Sequence, residues 1–195
     1  MALAEPPALS GLLTYEEYMA EGEINRRYDI IDGERIFMAS PTDGHQDIVL
    51  NIAELLRAYQ RRARIGKVMI APCDVLVTQN PLRTRQPDVL FISRGRYGER
   101  DPRSAEPLSP APELAVEVLS PSETRGIRAG KIRDFCAVDV KECWVVNMDA
   151  GTVEVLRLTA GGPVHEALYG KGQLVSSLTF PGLALALDDV FRTEE

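Results

Sequence analysis

The chain has 195 residues, is 45% hydrophobic and 26% charged, and carries a net charge of −7. That length and mixture fit one globular domain over residues 1–195 and exclude a disordered or fibrous chain. The acidic balance argues against a simple nucleic-acid coat; three cysteines without a Cys-x-x-Cys pair, and two histidines, argue against zinc ligation.

The first residues, Met1 to Pro7, have neither a basic region nor an apolar core, so no signal peptide is expected. No run approaches membrane-spanning length. The cysteines, with Cys136 and Cys143 in apolar contexts, read as buried small hydrophobes and fit a reducing cytosol. A cytoplasmic protein without a membrane partner is therefore expected.

Thr14-Tyr15-Glu16-Glu17 predicts a capping box that opens a short helix through about Ala20. Tyr28 to Ser40 reads as a β-hairpin turning at Asp32-Gly33. Asp43, with Gln46 three residues later, predicts the cap of a helix from about Gly44 to Ile65, stopped by Gly66. Ile48, Ile52, Leu55, Leu56 and Tyr59 form its apolar stripe. Strands are predicted at about 67–71, 73–78 and 88–93, and a long surface loop over 94–112. A strand around Glu117 comes next, then a helix from about Glu123 to Ala137. Trp144–Asn147 and Val153–Leu158 predict a hairpin, and the end holds two or three short strands and a turn near Asp188 to Phe191. The order is mixed α/β.

Charge is unevenly placed. From Arg57 to Arg133 there are 15 Lys and Arg against 8 Asp and Glu. A basic middle segment in an acidic chain points to a polyanion-facing surface, although a solvated surface with uneven charges reads equally well. Arg61, Arg62, Arg64, Arg125 and Arg128 are its first candidates for phosphate contact.

The most informative residue is Glu117, set in the apolar run Leu114-Ala115-Val116-Glu117-Val118-Leu119. Such a run reads as a strand covered on both faces. An ionised carboxylate there needs a compensating cation. Asp88 stands in a comparable setting at the start of Asp88-Val89-Leu90-Phe91-Ile92. On the following helix Ile127, Lys131 and Phe135 are spaced by four and share a face. A core-facing Phe135 turns Lys131 toward the sheet and its carboxylates. Gly126 and Gly130 weaken this helix and allow close approach to the sheet or to a phosphate. Two carboxylates and a Lys are the groups that metal-dependent phosphodiester cleavage needs. Mg²⁺, or Mn²⁺ in its place, would take Asp88, Glu117 and the main-chain carbonyl of Val118 as ligands. Lys131 would steady the attacking water or the transition-state charge. Each residue also has a purely structural reading: a turn at Asp88, an ion pair at Glu117, a snorkelling Lys131. Two nearby carboxylates repel, so Asp88→Ala is expected to leave metal-free stability unchanged or raised.

Further pieces occur in order: Tyr28-Asp29-Ile30-Ile31-Asp32-Gly33-Glu34, Ser40-Pro41, His45, Pro87-Asp88, Val116 to Ser122, Lys131, Phe135, Glu142-Cys143-Trp144 and Phe180-Pro181-Gly182-Leu183. Together they resemble the Uma-two family of restriction endonucleases, a branch of the PD-(D/E)XK nuclease superfamily. The resemblance implies a restriction-endonuclease-like core, a central mixed sheet flanked by helices. It implies a homodimer that cleaves DNA, and it maps the metal ligands to Asp88 and Glu117 and the Lys to Lys131. His45 matches a family position and could be a phosphate contact or a support for the ligands, as could Arg125 and Arg128. Glu34 could be a third acid. The chain departs from the family at Ile127, where an Asp is usual, at Phe135 and at Cys143, so a thinner polar shell is expected around the triad. The alternatives are a non-catalytic nuclease fold that binds nucleic acid or a protein, and hydrolysis by two carboxylates as in glycosidases. Lys131 and the basic segment argue against the second.

Overall fold

A computed structural model of the chain describes residues 11–22, 24, 27–121 and 123–193. Helix α1, Tyr15–Ala20, opens with the predicted capping box: the Glu17 N–H donates to Thr14 Oγ1 at 3.2 Å, and the Thr14 N–H donates to the Glu17 carboxylate at 2.9 Å. The hairpin forms as β1, Tyr28–Ile31, and β2, Glu34–Phe37, turned through positive φ at Asp32 and Gly33.

Helix α2 runs Asp43–Ala63 and buries Ile48, Ile52, Leu56 and Tyr59 as its stripe requires. Its ends differ from the sequence expectation. Thr42 is the N-cap, its hydroxyl accepting from the His45 N–H at 3.3 Å, because Thr and Asp are both good caps and stand side by side. Arg64 ends the helix with φ 55°. Gly66 instead opens β3, Gly66–Ile70, where a Cβ would stand 2.2 Å from the Ile92 carbonyl oxygen. The glycine serves close strand approach, not helix termination.

Strands β4, Val75–Gln79, and β5, Leu82–Arg85, are followed by β6, Val89–Ser93. β5 is absent from the sequence prediction because its two arginines disguise it. The 94–112 segment is not a surface loop throughout: it holds the short helix α3, Arg94–Tyr97, and buries Leu108 and Ala111. Strand β7, Leu114–Val118, and helix α4, Arg125–Ala137, lie as predicted. The remainder is β8, Glu142–Asn147; β9, Thr152–Thr159; β10, Gly162–Tyr169; β11, Leu174–Ser176; β12, Ala184–Ala186; and α5, Leu187–Val190. All three cysteines are free thiols, Cys143 buried and Cys73 and Cys136 partly so.

Six strands make the main sheet in the order β10-β9-β8-β7-β6-β3, parallel only between β7 and β8. The order β2-β1-β5-β4 makes a second sheet, and β11 and β12 pair with each other. Alternate side chains of the main sheet enter two cores. Phe91, Leu114, Val116, Trp144 and Val146 pack with α2 and α5. Leu90, Ile92, Ala115, Cys143 and Val145 pack with Ile132 and Phe135 of α4. A strand buried on both faces is what the apolar run around Glu117 predicts. The mixed sheet between helices is the restriction-endonuclease-like class expected from the sequence.

Candidate active site

Strands β6 and β7 are antiparallel, with Val89 opposite Val116. Extended by one residue, that register sets Asp88 opposite Glu117. Asp88 continues the face of Leu90 and Ile92, and Glu117 that of Ala115, which is the side covered by α4. Both acids are buried, at 4% and 3% exposure. Lys131 reaches them from the second turn of α4. Its Nζ donates to Glu117 Oε2 at 2.7 Å and stands 3.1 Å from a Glu123 carboxylate oxygen. Phe135, one turn on, is fully buried, so the predicted shared face holds. Ile127 is half exposed at the cavity mouth. The acid that supports Lys131 is therefore supplied by Glu123, just ahead of the Thr124 cap, and not from position 127.

The two carboxylates sit in opposite electrostatic settings. Asp88 Oδ2 accepts from the Val118 N–H at 2.7 Å, with His45 Nε2 at 3.5 Å; Oδ1 accepts from Arg27 Nη1 at 2.6 Å. Burial disfavours its charge, but His45, Arg27 and the Val118 N–H outweigh burial and bring its pKa down to about 2. For Glu117, burial dominates and the Asp88 charge adds to it. Lys131 only partly offsets them, and the pKa rises to about 7. Burial works against the Lys131 charge, yet Glu117 and Glu123 raise its pKa above that of a free lysine. One oxygen of Glu117, Oε1, is buried without a hydrogen-bond partner. A buried carboxylate oxygen left bare is costly unless a cation takes it. In a strand a residue's N–H and C=O point to the same side, so the Val118 carbonyl shares the edge on which its N–H meets Asp88. The donors are all oxygens, which suits Mg²⁺ or Mn²⁺. Among the described residues no group of three or more His, Cys, Asp or Glu side chains is placed to hold a metal. The set therefore fits a hard ion kept by two carboxylates, a carbonyl and water, not one caged by protein alone.

An ion network lies beside this cluster, and nothing local in the sequence marks its pairing. Arg85 donates through Nη1 to Asp29 Oδ2 at 2.8 Å and through Nε to Asp134 Oδ2 at 2.6 Å. Arg83 joins Asp134 and Asp32. Asp29 Oδ1 also accepts the Gln86 N–H at 3.1 Å.

These groups surround a cavity of about 850 Å³ lined from the hairpin by Arg27, Asp29, Ile36 and Phe37, from α2 by His45, and from α4 by Ile127 and Lys131. Asp88 and Val118 line it too; Glu117 does not, and meets the lining through Lys131. His45 is thus at the site. Glu34 is not: it follows the turn, is exposed and lies outside the lining, and Asp29 of the same hairpin is the acid turned inward. Arg125 and Arg128 flank the cavity on the first turn of α4 without lining it. Arg61, Arg62 and Arg64 are remote. They lie at and just past the far end of α2, where Arg61, the nearest, is about 24 Å along the axis from His45 at 1.5 Å per residue. Much of the basic excess is also spent internally, on pairs such as Arg85 with Asp29 and Arg96 with Glu113 and Asp139.

A mixed sheet that sets two acids opposite each other, with a Lys on the next helix, defines the nuclease-like class, and comparisons with known proteins agree. A family model described as "Uma2: Putative restriction endonuclease" matches residues 14–188. The chain belongs to the Uma2 family. Among solved structures it is similar to a protein of Anabaena variabilis described as a "putative nuclease belonging to DUF820", with a TM-score of 0.75 and 20% identity. The match covers 92% of this chain and 97% of that one, and it shows the same fold. No curated protein sequence matches the chain. No helix among the described residues is long and apolar enough to cross a membrane.

Proposed function

We propose that the protein is a Mg²⁺-dependent endonuclease that cleaves phosphodiester bonds in DNA, acting as a cytoplasmic homodimer of single-domain chains. The observation that carries this reading is the bare, buried Oε1 of Glu117, set opposite Asp88 and held beside Lys131. Asp88, Glu117 and the Val118 carbonyl would hold the ion, with Mn²⁺ as a substitute. A bound ion supplies Lewis acidity toward the phosphate and lowers the pKa of a coordinated water. Lys131, fixed between Glu117 and Glu123, presents its ammonium to the attacking water and to the charge that develops on phosphorus oxygens. His45, Arg125 and Arg128 would serve as contacts for phosphates flanking the scissile bond.

One observation favours the non-catalytic alternative: Asp88 is already neutralised by Arg27. Incubation with supercoiled plasmid separates the two readings. Cleavage is expected with Mg²⁺ or Mn²⁺ and not in EDTA, and Lys131→Met should slow it roughly 10²–10³-fold, as loss of a transition-state donor does. Intact plasmid with either metal, or equal cleavage in EDTA, overturns the reading.

A further inference from the structure

The cavity's arginines differ in what holds them. Arg85 is locked between Asp29 and Asp134, and Arg83 between Asp32 and Asp134. Neither pairs with a proposed ligand. Arg27 does. Its Nη1 donates to Asp88 Oδ1 at 2.6 Å and its Nη2 to the Gln86 carbonyl at 2.5 Å. Among the described residues Asp88 is the carboxylate it pairs with, and its Nε is buried without a partner. The side chain is 23% exposed and lines the cavity, whereas that of Arg85 is 4% exposed.

A guanidinium and a dication compete for Asp88 Oδ1, because two cations brought together on one oxygen repel each other. Oδ2 is not an equivalent substitute, since the Val118 N–H and His45 already face it. We propose that Arg27 is the internal counter-cation of Asp88, that it leaves this carboxylate when Oδ1 becomes a metal ligand, and that it then turns its planar fork onto a phosphate of the DNA strand in the cavity. The inference rests on the reading of Asp88 as a metal ligand. Guanidinium geometry suits both partners, a carboxylate oxygen in one state and a phosphate in the other. Metal and substrate are then coupled: Arg27 opposes the first and, once released, favours the second. Arg27 is a positioning residue in this scheme and takes no part in bond breaking.

By linkage, what pairs with Asp88 in the metal-free state must weaken metal binding. Arg27→Met keeps an apolar stem of similar bulk and removes the guanidinium. Mn²⁺ titration without DNA, read by the electron paramagnetic resonance of free Mn²⁺, should show roughly tenfold tighter binding for Arg27→Met, within the usual range for coupled sites. Affinity for a short duplex should rise on adding Ca²⁺ to the wild type and rise less in the variant. In Ca²⁺ the variant's slope of log affinity against log salt should be shallower by about 0.9, one phosphate contact. Melting in EDTA tests whether Arg27→Met is folded. If it is not, Arg27→Lys, which gives up the two-point hold on Asp88 and Gln86, should also bind Mn²⁺ more tightly than the wild type. Equal or weaker Mn²⁺ binding by a folded variant overturns the proposal and leaves the nuclease reading standing. Absence of Mn²⁺ binding in wild type and variants overturns the metal reading and this proposal with it.

Discussion

Replacing Asp88 by Asn should destabilise the metal-free protein, against the sequence expectation that relief of repulsion would leave stability unchanged or raised. The magnitude follows from the partners of Asp88. Burial works against its charge, but His45, Arg27 and the Val118 N–H together outweigh burial and bring its pKa from 3.8 down to about 2. At about 1.4 kcal/mol for each tenfold change in proton affinity, that depression is worth about 2 kcal/mol of stability at neutral pH. Asp88 is 4% exposed, so solvent screens little of this. For a chain of this size the loss is roughly 4–8 °C in Tm. A depressed carboxylate pKa stabilises the fold above the unfolded value of 3.8, and the benefit is lost as pH falls through about 2. Urea melts in EDTA should therefore show the full gap between wild type and Asp88→Asn at pH 6–7 and a gap that closes as pH falls from about 4 to about 2. A variant as stable as the wild type at pH 7, or a gap that does not change with pH, would refute the reasoning and restore repulsion from Glu117 as the dominant effect.

Three other substitutions test the scaffold. Glu142 is fully buried and accepts from Trp144 Nε1 at 2.5 Å, Ser177 Oγ at 2.7 Å, and the N–H groups of Leu178 and Thr179 at 3.0 and 3.1 Å; Glu142→Ala should cost about 3–5 kcal/mol, read by urea melts and the near-ultraviolet dichroism of Trp144. Gly66→Ala should be strongly destabilising because its Cβ would overlap the Ile92 carbonyl, whereas Gly130→Ala, whose Cβ would meet Arg85 Nη2 at an ordinary 3.6 Å, should raise helix stability by about 1 kcal/mol in thermal melts.

The sequence was most legible where the signal is local. The Thr14 capping box, the Asp32-Gly33 turn and the stripe of α2 each lie within one element and formed there. The meeting of Lys131 with Glu117 was legible because i, i+4 spacing ties Lys131 to the fully buried Phe135. The reading failed where partners are distant in the chain. Arg85 meets Asp134 49 residues away and Asp29 56 residues away, and nothing local marks either pair. For the same reason β5 is missing from the strands predicted by sequence: its arginines are satisfied by residues that the sequence cannot place beside them. The sequence offers Glu34 as a possible third acid, whereas the structure turns Asp29 inward, because a hairpin's alternation does not say which face is covered until the second sheet is built.

Those long-range pairs explain why the site need not be fragile despite Ile127 and Phe135. The segment Gln86-Pro87-Asp88 carries one proposed ligand into the sheet and is gripped from several sides. Asp29 accepts its Gln86 N–H, Arg27 donates to its Gln86 carbonyl, Asp74 accepts from the Gln86 side chain at 3.2 Å, and the Asp88 carbonyl accepts the Ala71 N–H at 3.0 Å. Two of these grips, Arg27 and Asp29, come from the start of the hairpin. The hairpin sheet is thus more than a wall of the cavity: through Gln86 it sets where Asp88 stands, and Asp29 also fixes Arg85, which holds Asp134 on α4 one turn from Lys131. A substitution at Asp29 would reach both sides of the cavity at once, one through the backbone of a ligand's own segment and the other through the helix that carries the Lys. The polar support that family resemblance places on α4 is supplied here by Glu123 for Lys131 and by the hairpin for Asp88.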